Sequence, residues 1–283
     1  MNIFLQATFE GLSLGAVYSL VAIGLVLIFK ATDVLSFAQP ALVVVGAGFI
    51  SYFATQIGIP FVFAFIIGVL LTGILGFALE RSFLRTMVGE PVFSVAVLTI
   101  GIDILLRVVL DNWIGINPKY MGDPFPSFGN YGSFNVGSIT LKYLELAALF
   151  SSLTIIVFLL IFFRKSKYGV AMRATSLDQE AALAQGINVG RVFGLVWFIA
   201  GLLAAFAGFF ITGGFNMLTN TSFISALRAL PAVVIGGLDS IPGAVPGPPI
   251  ITIAIKIIEY KRLNVPGSEP PNVLEINAPA IPA

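Results

Sequence analysis

Long apolar stretches dominate the chain, and short polar segments separate them. Six of these stretches run from Gly11 to Phe29, Val34 to Thr55, Pro60 to Leu79, Val92 to Leu110, Tyr143 to Phe163 and Val192 to Thr212. Each is long enough to cross the roughly 30 Å hydrocarbon core of a bilayer. A seventh stretch, Phe223 to Leu238, is shorter and contains Arg228 and Pro231, which favours a re-entrant or broken helix. The pattern predicts an all-α, polytopic bundle with about seven or eight spans or re-entrant segments.

The composition excludes several classes of function. A mean hydropathy of +1.00 rules out an ordinary soluble domain, and a net charge of +1 gives no indication of a nucleic-acid partner. The chain has no Cys and no His, so the commonest zinc ligands and the usual general base are missing and catalysis is disfavoured. It has no P-loop motif, so we expect no cofactor on this chain.

The distribution of basic residues predicts the orientation in the membrane. The loop from Arg164 to Arg191 is rich in Lys and Arg, which by the positive-inside rule places it in the cytoplasm. Arg81, Arg85 and Lys30 agree with this topology, and the N-terminus is then outside. The polar connection from Asp111 to Lys142 is expected to be external.

Within the cytoplasmic loop, the segment from Tyr168 to Val192 predicts a short amphipathic helix with a signal at each end. Ser176 and Gln179 have the spacing of a capping box. Asp178 and Glu180 would lie in the first turn, where the helix dipole favours negative charge. Ala181, Ala182 and Ala184 favour the helix, and Gly186 is placed for a left-handed C-cap.

Two features inside the spans have open interpretations. Asp103 and Arg107 are four residues apart and can pair on one helix face, either as a functional site or as a structural ion pair. No chain of carboxylates suited to a proton relay is present, which disfavours a proton-driven carrier. Gly11 and Gly15 form a G-x-x-x-G pattern that allows close helix packing, although such glycines are also common in membrane helices.

Three motifs carry a family resemblance. The run from Gly15 to Phe49, the cytoplasmic loop, and the run from Ala226 to Val245 resemble LivH-type permease subunits of ABC importers for branched-chain amino acids. The resemblance implies a second homologous permease subunit, two P-loop ATPase subunits that bind ATP and Mg, and a soluble external substrate-binding protein. It also implies a prokaryotic plasma (inner) membrane location and a coupling helix that contacts an ATPase, with these candidate residues: Arg173, Ser176, Asp178, Gln179, Glu180, Ala184, Gly186 and Arg191.

The resemblance weakens in two places. The stretch from Ser36 to Pro40 replaces an Asn-Phe-Ala-Gln/His-Gly pattern that is usual in the family. Beyond Val245, Pro246, Pro248 and Pro249 remove backbone donors from an expected helix start, and the apolar run Ile250–Ile258 is too short to span a bilayer. We therefore expect a permease domain at 1–245 and an atypical Pro-rich segment at 246–283, truncated or disordered.

Transport of a branched aliphatic amino acid by alternating access needs an apolar pathway with a few polar groups. Phe37, Gln39 and Pro40 are the pathway candidates, because a break in a span frees backbone groups near mid-membrane. The other interpretation of Gln39 is a hydrogen bond to a neighbouring helix. The alternatives for the whole protein are a secondary transporter for a small amphipathic solute and an inactive or regulatory membrane subunit. The substrate could also be urea or a short amide.

Overall fold

The computed structural model describes residues 2–32, 35–87, 90–115, 119–121, 132–136, 139–213, 217–218, 222–237 and 243–263. These residues form an all-α bundle with two small antiparallel strand pairs. The helices are α1 (Asn2–Thr32), α2 (Gln39–Ser51), α3 (Phe61–Ser82), α4 (Val92–Ile114), α5 (Tyr143–Lys165), α6 (Lys167–Leu177), α7 (Gln179–Ala184), α8 (Val189–Gly213), α9 (Ser222–Leu227), α10 (Ala229–Gly236) and α11 (Gly247–Leu263).

Five helices, α1, α3, α4, α5 and α8, are long and apolar enough to cross a membrane, which confirms five of the predicted spans. Pro60 and Pro91 occupy the N-cap positions of α3 and α4, where a missing backbone donor costs nothing. The chain between Phe223 and Leu238 is broken as predicted, because α9 ends at Leu227 and α10 begins at Ala229. Leu238 itself lies outside the described residues.

The second predicted span is the exception, because its helix is only 13 residues long and begins inside the bundle. Gln39 opens α2 and bonds Ala200, which lies at the centre of α8. A π-helical turn from Tyr52 to Gln56 prolongs α2 at its other end. The span is therefore a half-helix that starts beside the centre of α8.

Helices α1 and α8 form the centre of the bundle, and small residues bring α8 close to α3. A Cβ at Gly76 would come within 2.5 Å of the Trp197 carbonyl oxygen, and one at Gly201 within 2.5 Å of the Thr72 carbonyl oxygen. Only glycine permits this backbone approach. The close packing stabilises the helix pair, because helices in lipid have no hydrophobic driving force for association.

Helix α11 corrects the expectation that the prolines after Val245 prevent a helix. Pro248 and Pro249 lie in its first turn, where the backbone amides have no intrahelical acceptor and proline is tolerated. Helix α11 packs along α1, where a Cβ at Gly11 would lie 2.6 Å from Ile253 Cα and one at Gly15 would overlap Pro249 Cα. The G-x-x-x-G pattern is therefore a close-packing site. Residues 264–283 of the predicted tail lie outside the described residues.

The connection between α4 and α5 is described only in part. Strand β1 (Lys119–Tyr120) pairs with β4 (Met217–Leu218), and β2 (Ser133–Val136) pairs with β3 (Ile139–Lys142), both antiparallel. Ser51 Oγ donates a hydrogen bond to the Tyr120 carbonyl oxygen over 2.6 Å. These contacts place strands from the connection at the same end of the bundle as the end of α2.

Candidate functional site

Two helices, rather than one, join α5 to α8. Ser166 caps α6 by accepting a hydrogen bond from the Gly169 amide (3.0 Å), and Asp178 caps α7 by accepting one from the Ala181 amide (2.9 Å). The predicted capping box is therefore wrong. Ser176 belongs to the last turn of α6, where its Oγ donates to the Arg173 carbonyl oxygen, and Gln179 is the first residue of α7. Asp178 has an extended backbone, and this divides the two helices.

Gly186 ends α7 as predicted. Its φ of +80° lies in the left-handed region. The Gly186 amide donates to the Leu183 carbonyl oxygen (2.9 Å), and the Ile187 amide donates to the Ala182 carbonyl oxygen (3.0 Å). This pair of hydrogen bonds is a Schellman motif, which fixes the direction in which the chain leaves the helix.

Both ends of the α6–α7 segment are fastened to the membrane helices. Arg173 donates from a terminal guanidinium nitrogen to the Phe163 carbonyl oxygen at the end of α5 (2.7 Å). Gly169 lies against the same carbonyl, and a Cβ there would overlap it. At the other end, Asn188 Oδ1 accepts a hydrogen bond from the Arg191 amide and caps α8. The segment is therefore hydrogen-bonded to α5 at one end and joined to α8 by a short capped turn at the other.

A salt bridge extends this connection to α3. Arg85 binds both carboxylate oxygens of Glu80, at 3.1 and 2.8 Å, and also donates to the Gly190 carbonyl oxygen at 2.7 Å. Glu80 is fully buried, whereas the Arg85 side chain is about one third exposed. The start of α8 is thereby held to the end of α3.

One face of α7 is exposed and partly apolar. Glu180, Leu183 and Ala184 are exposed and share a helix face by their spacing, whereas Ala182 on the opposite side is buried. We name these three residues the α7 outer face. Leu177, at the end of α6, is 87% exposed, and Leu183 is 57% exposed. Two large leucines are thus exposed beside a charged residue in an otherwise polar loop.

The predicted coupling residues therefore have different surroundings. Glu180 and Ala184 are on the α7 outer face, Ser176 and Arg191 are exposed, and Arg173, Asp178 and Gly186 hold the segment in shape. Gln179 is half-buried. Sequence reasoning missed Leu177 and Leu183, although two leucines in an otherwise polar loop were the available signal.

Several polar groups are buried where α2 begins, at residues 36–40, which we name the break before α2. Gln39 Nε2 donates to the Ala200 carbonyl oxygen at 3.1 Å, so Gln39 makes the hydrogen bond to a neighbouring helix that its second interpretation predicts. Pro40 lies in the first turn of α2, and the Phe37 amide donates to Thr99 Oγ1 at 3.1 Å. Among the described residues, Ser36 Oγ and Gln39 Oε1 are buried without a hydrogen-bond partner.

A cavity of about 90 Å³ lies among the ends of α1, α3, α4 and α8 that are nearest the α6–α7 segment. Its lining includes Gln179 of α7, Thr32 at the end of α1, and Val95, which is one helical turn before Thr99. Trp197, one turn before Ala200, also lines it, and the Trp197 indole nitrogen is buried without a partner in the described structure.

Asp103 and Arg107 form the predicted ion pair within α4. Arg107 Nη2 lies 2.5 Å from Asp103 Oδ2, and the guanidinium carbon lies 4.1 Å from the centre of the Phe223 ring. The Asp103 side chain is 6% exposed and that of Arg107 is 31% exposed. Phe223 belongs to α9, so a cation–π contact joins the pair to the broken helical region.

Comparisons with known proteins identify the family of this fold and loop arrangement. A family model described as branched-chain amino acid transport system / permease component matches residues 7–272. The high-affinity branched-chain amino acid transport system permease protein LivH of Salmonella typhimurium is 29% identical over 267 residues, which cover 89% of this chain and 84% of LivH.

Two other relatives extend the comparison. The permease protein BraD of Pseudomonas aeruginosa, named for the same kind of transport system, is 24% identical and covers 89% of this chain and 85% of BraD. The galactose/methyl galactoside import permease protein MglC of Haemophilus influenzae is 29% identical over 53% of this chain and 48% of MglC. Since the family model matches almost the whole multi-pass chain, this protein belongs to the permease components of branched-chain amino acid transport systems.

Proposed function

We propose that the chain is the membrane-spanning permease subunit of an ATP-driven importer for branched-chain or related hydrophobic amino acids. ATP and Mg bind to separate cytoplasmic ATPase subunits, and the permease alternates between inward-open and outward-open packings. The names of the LivH and BraD relatives support the substrate class. The observation that carries the proposal is the exposed α7 outer face on a segment that is fastened at both ends.

The α7 outer face is suited to receive force from an ATPase. Leu183 and Ala184 offer apolar contact area, and Glu180 offers a charge beside it. The Asp178 cap and the Gly186 Schellman motif hold the helix in one shape. A displacement of α7 is therefore transmitted to α5 and α8 rather than lost in a flexible loop.

The break before α2 is the proposed part of the substrate pathway. The N-cap residue Ala38 offers no side-chain acceptor to the first amides of α2, so the positive end of this buried half-helix has no side-chain cap. Phe37, Gln39 and Pro40 lie at this point, and the cavity lined by Trp197 is a separate space closer to the α6–α7 segment. A substrate carboxylate would reach these amides only in a conformation that opens the bundle around them, because Gln39 and Ala41 are fully buried here.

The proposed assembly follows the importer architecture. The partners are a second homologous permease, two P-loop ATPases and a soluble external binding protein, in the prokaryotic plasma (inner) membrane. The α6–α7 segment is cytoplasmic and the N-terminus is outside, as the distribution of Lys and Arg predicts.

Reconstituted vesicles test the proposal. Uptake of leucine should need ATP, the ATPases and the binding protein, and should persist when the proton gradient is collapsed. Ala184→Arg keeps helix propensity but adds bulk and charge to the α7 outer face. We expect it to reduce ATPase copurification by about tenfold while the permease remains in the membrane.

The matched control is Gln56→Arg, an exposed position at the other end of the bundle. It should leave copurification and stimulated hydrolysis unchanged. Gradient-driven uptake without ATPases would establish a secondary transporter instead. Normal assembly of the Ala184→Arg variant would remove the α7 outer face from the coupling contact.

A further inference from the structure

The ion pair of α4 lies where charge is most costly. Asp103 is at the centre of the 23-residue helix, and Arg107 is one turn nearer its C-terminal end. Arg107 remains 31% exposed on a helix face that also presents Ile100 and Ile104. Ionisable groups at this depth are expensive and usually face a partner or a water-filled path rather than lipid.

The pair is incompletely satisfied. Arg107 Nη2 and Asp103 Oδ2 bind each other, but Asp103 Oδ1 and Arg107 Nε are both buried without a hydrogen-bond partner in the described structure. An unpartnered acceptor on an anion and an unpartnered donor on a cation both carry a desolvation cost. The pair thus keeps one acceptor of the anion and one donor of the cation with unused hydrogen-bonding capacity.

The ion pair also lies on the same face of α4 as a residue that contacts the break before α2. Thr99, Asp103 and Arg107 are spaced by four residues and so follow one face of α4. Thr99 accepts the hydrogen bond of the Phe37 amide at the break. Two turns after Thr99, Arg107 contacts the Phe223 ring of α9. This face of α4 therefore carries polar side chains from the break before α2 to the aromatic ring of Phe223.

We propose that Asp103, Arg107 and Phe223 form a subsite that binds the zwitterionic head group of an amino acid in transit. Asp103 Oδ1 accepts a hydrogen bond from the substrate ammonium group, and the Arg107 guanidinium binds the substrate carboxylate. The aliphatic side chain lies against Phe223 and the apolar surface beside Ile104. The inference rests on the proposed function and adds the residues that recognise the substrate class.

The charges favour a zwitterion over other solutes. A simple cation or anion would satisfy one member of the pair and leave the other unpaired, and a neutral sugar would bring no charge to either. An amino acid brings both charges on adjacent atoms. It therefore exchanges the internal ion pair for two external ones without leaving a buried charge uncompensated.

Variants that remove or exchange the charges of Asp103 and Arg107 distinguish substrate binding from a purely structural role. The single variant Asp103→Asn keeps the side-chain size and should reduce leucine uptake by about tenfold or more, because it removes the charge that binds the ammonium group. The double variant Asp103→Arg with Arg107→Asp restores an ion pair in reversed order. A reversed pair cannot bind the substrate in the same orientation, so uptake should remain low while the complex still assembles.

The control is the exchange of Lys142 and Glu145, an ion pair of 3.4 Å at the start of α5. This double variant should retain uptake. Wild-type uptake by Asp103→Asn, recovery of uptake in the exchanged α4 pair, or loss of assembly in both α4 variants would each overturn the subsite and assign the pair to packing. If the wild-type complex transports leucine without ATP, the proposed function fails instead, whatever the variants do.

Discussion

The side-chain amide of Gln39 donates a hydrogen bond to the carbonyl oxygen of Ala200, 161 positions further along the chain. This bond fastens the start of the half-helix α2 to the middle of α8. A Cβ on Gly24 would lie 2.5 Å from Gln39 Nε2, so α1 closes the third side of the contact. Three helices thus position the break that we propose as part of the substrate pathway.

Replacing Gln39 by Leu tests that role. The change removes one hydrogen bond and one unpartnered acceptor, so the free energy of unfolding should change by only about 1 kcal/mol. Uptake of leucine per ATP hydrolysed should fall several-fold if the amide contacts the substrate. Thr72→Val is the control, because Thr72 is equally buried and bonds only within its own helix. Equal uptake by the two variants would leave Gln39 a packing residue.

A second prediction uses two glycines with the same backbone conformation. Gly186 has φ +80° and Gly58 has φ +77°, and a Cβ at either position would have no neighbouring atom within 4 Å. Valine at either position should destabilise the fold by about 1 to 2 kcal/mol, since a branched Cβ disfavours positive φ. The melting temperature should therefore fall by a similar amount in both variants. Only Gly186→Val should lower substrate-stimulated ATP hydrolysis, and an equal loss in Gly58→Val would mean that instability alone explains it.

A third prediction concerns the contact of α1 with α11. Gly15→Leu would place a side chain against the Pro249 backbone, so α11 must shift and the melting temperature should fall by several degrees. Gly101→Leu is the matched control, because nothing lies within 4 Å of a Cβ there and leucine improves helix propensity. A Gly15→Leu variant as stable as the wild type would contradict the observed packing.

A fourth prediction concerns orientation. The chain has no cysteine, so single cysteines can be introduced without background labelling. Ser133→Cys lies at an exposed position of β2 and Ser176→Cys at an exposed position of α6. An impermeant thiol reagent should label the first in intact cells and the second only after permeabilisation. Reversed labelling would overturn both the topology and the cytoplasmic assignment of α7.

The spans are predictable because the length of an apolar run depends only on local sequence. The Gly186 cap is predictable for the same reason, as glycine is the residue that adopts positive φ without strain. The capping box fails because Ser166 starts a helix earlier than expected and carries Ser176 into its last turn. The break before α2 is visible from Pro40, but its depth in the bundle depends on the distant contact with Ala200. The helix after Val245 escapes sequence reasoning because its prolines act as first-turn residues rather than as helix breakers.

Helix α1 supports the α6–α7 segment together with the two membrane helices that flank it. It is the most buried of the long apolar helices, and it touches α5, which enters the α6–α7 segment, and α8, which leaves it. It also contacts α6 itself. Both helices that flank the segment thus share contacts with α1, so in the coupling that we propose a displacement of α7 would tilt α1, α5 and α8 together rather than spread α5 from α8.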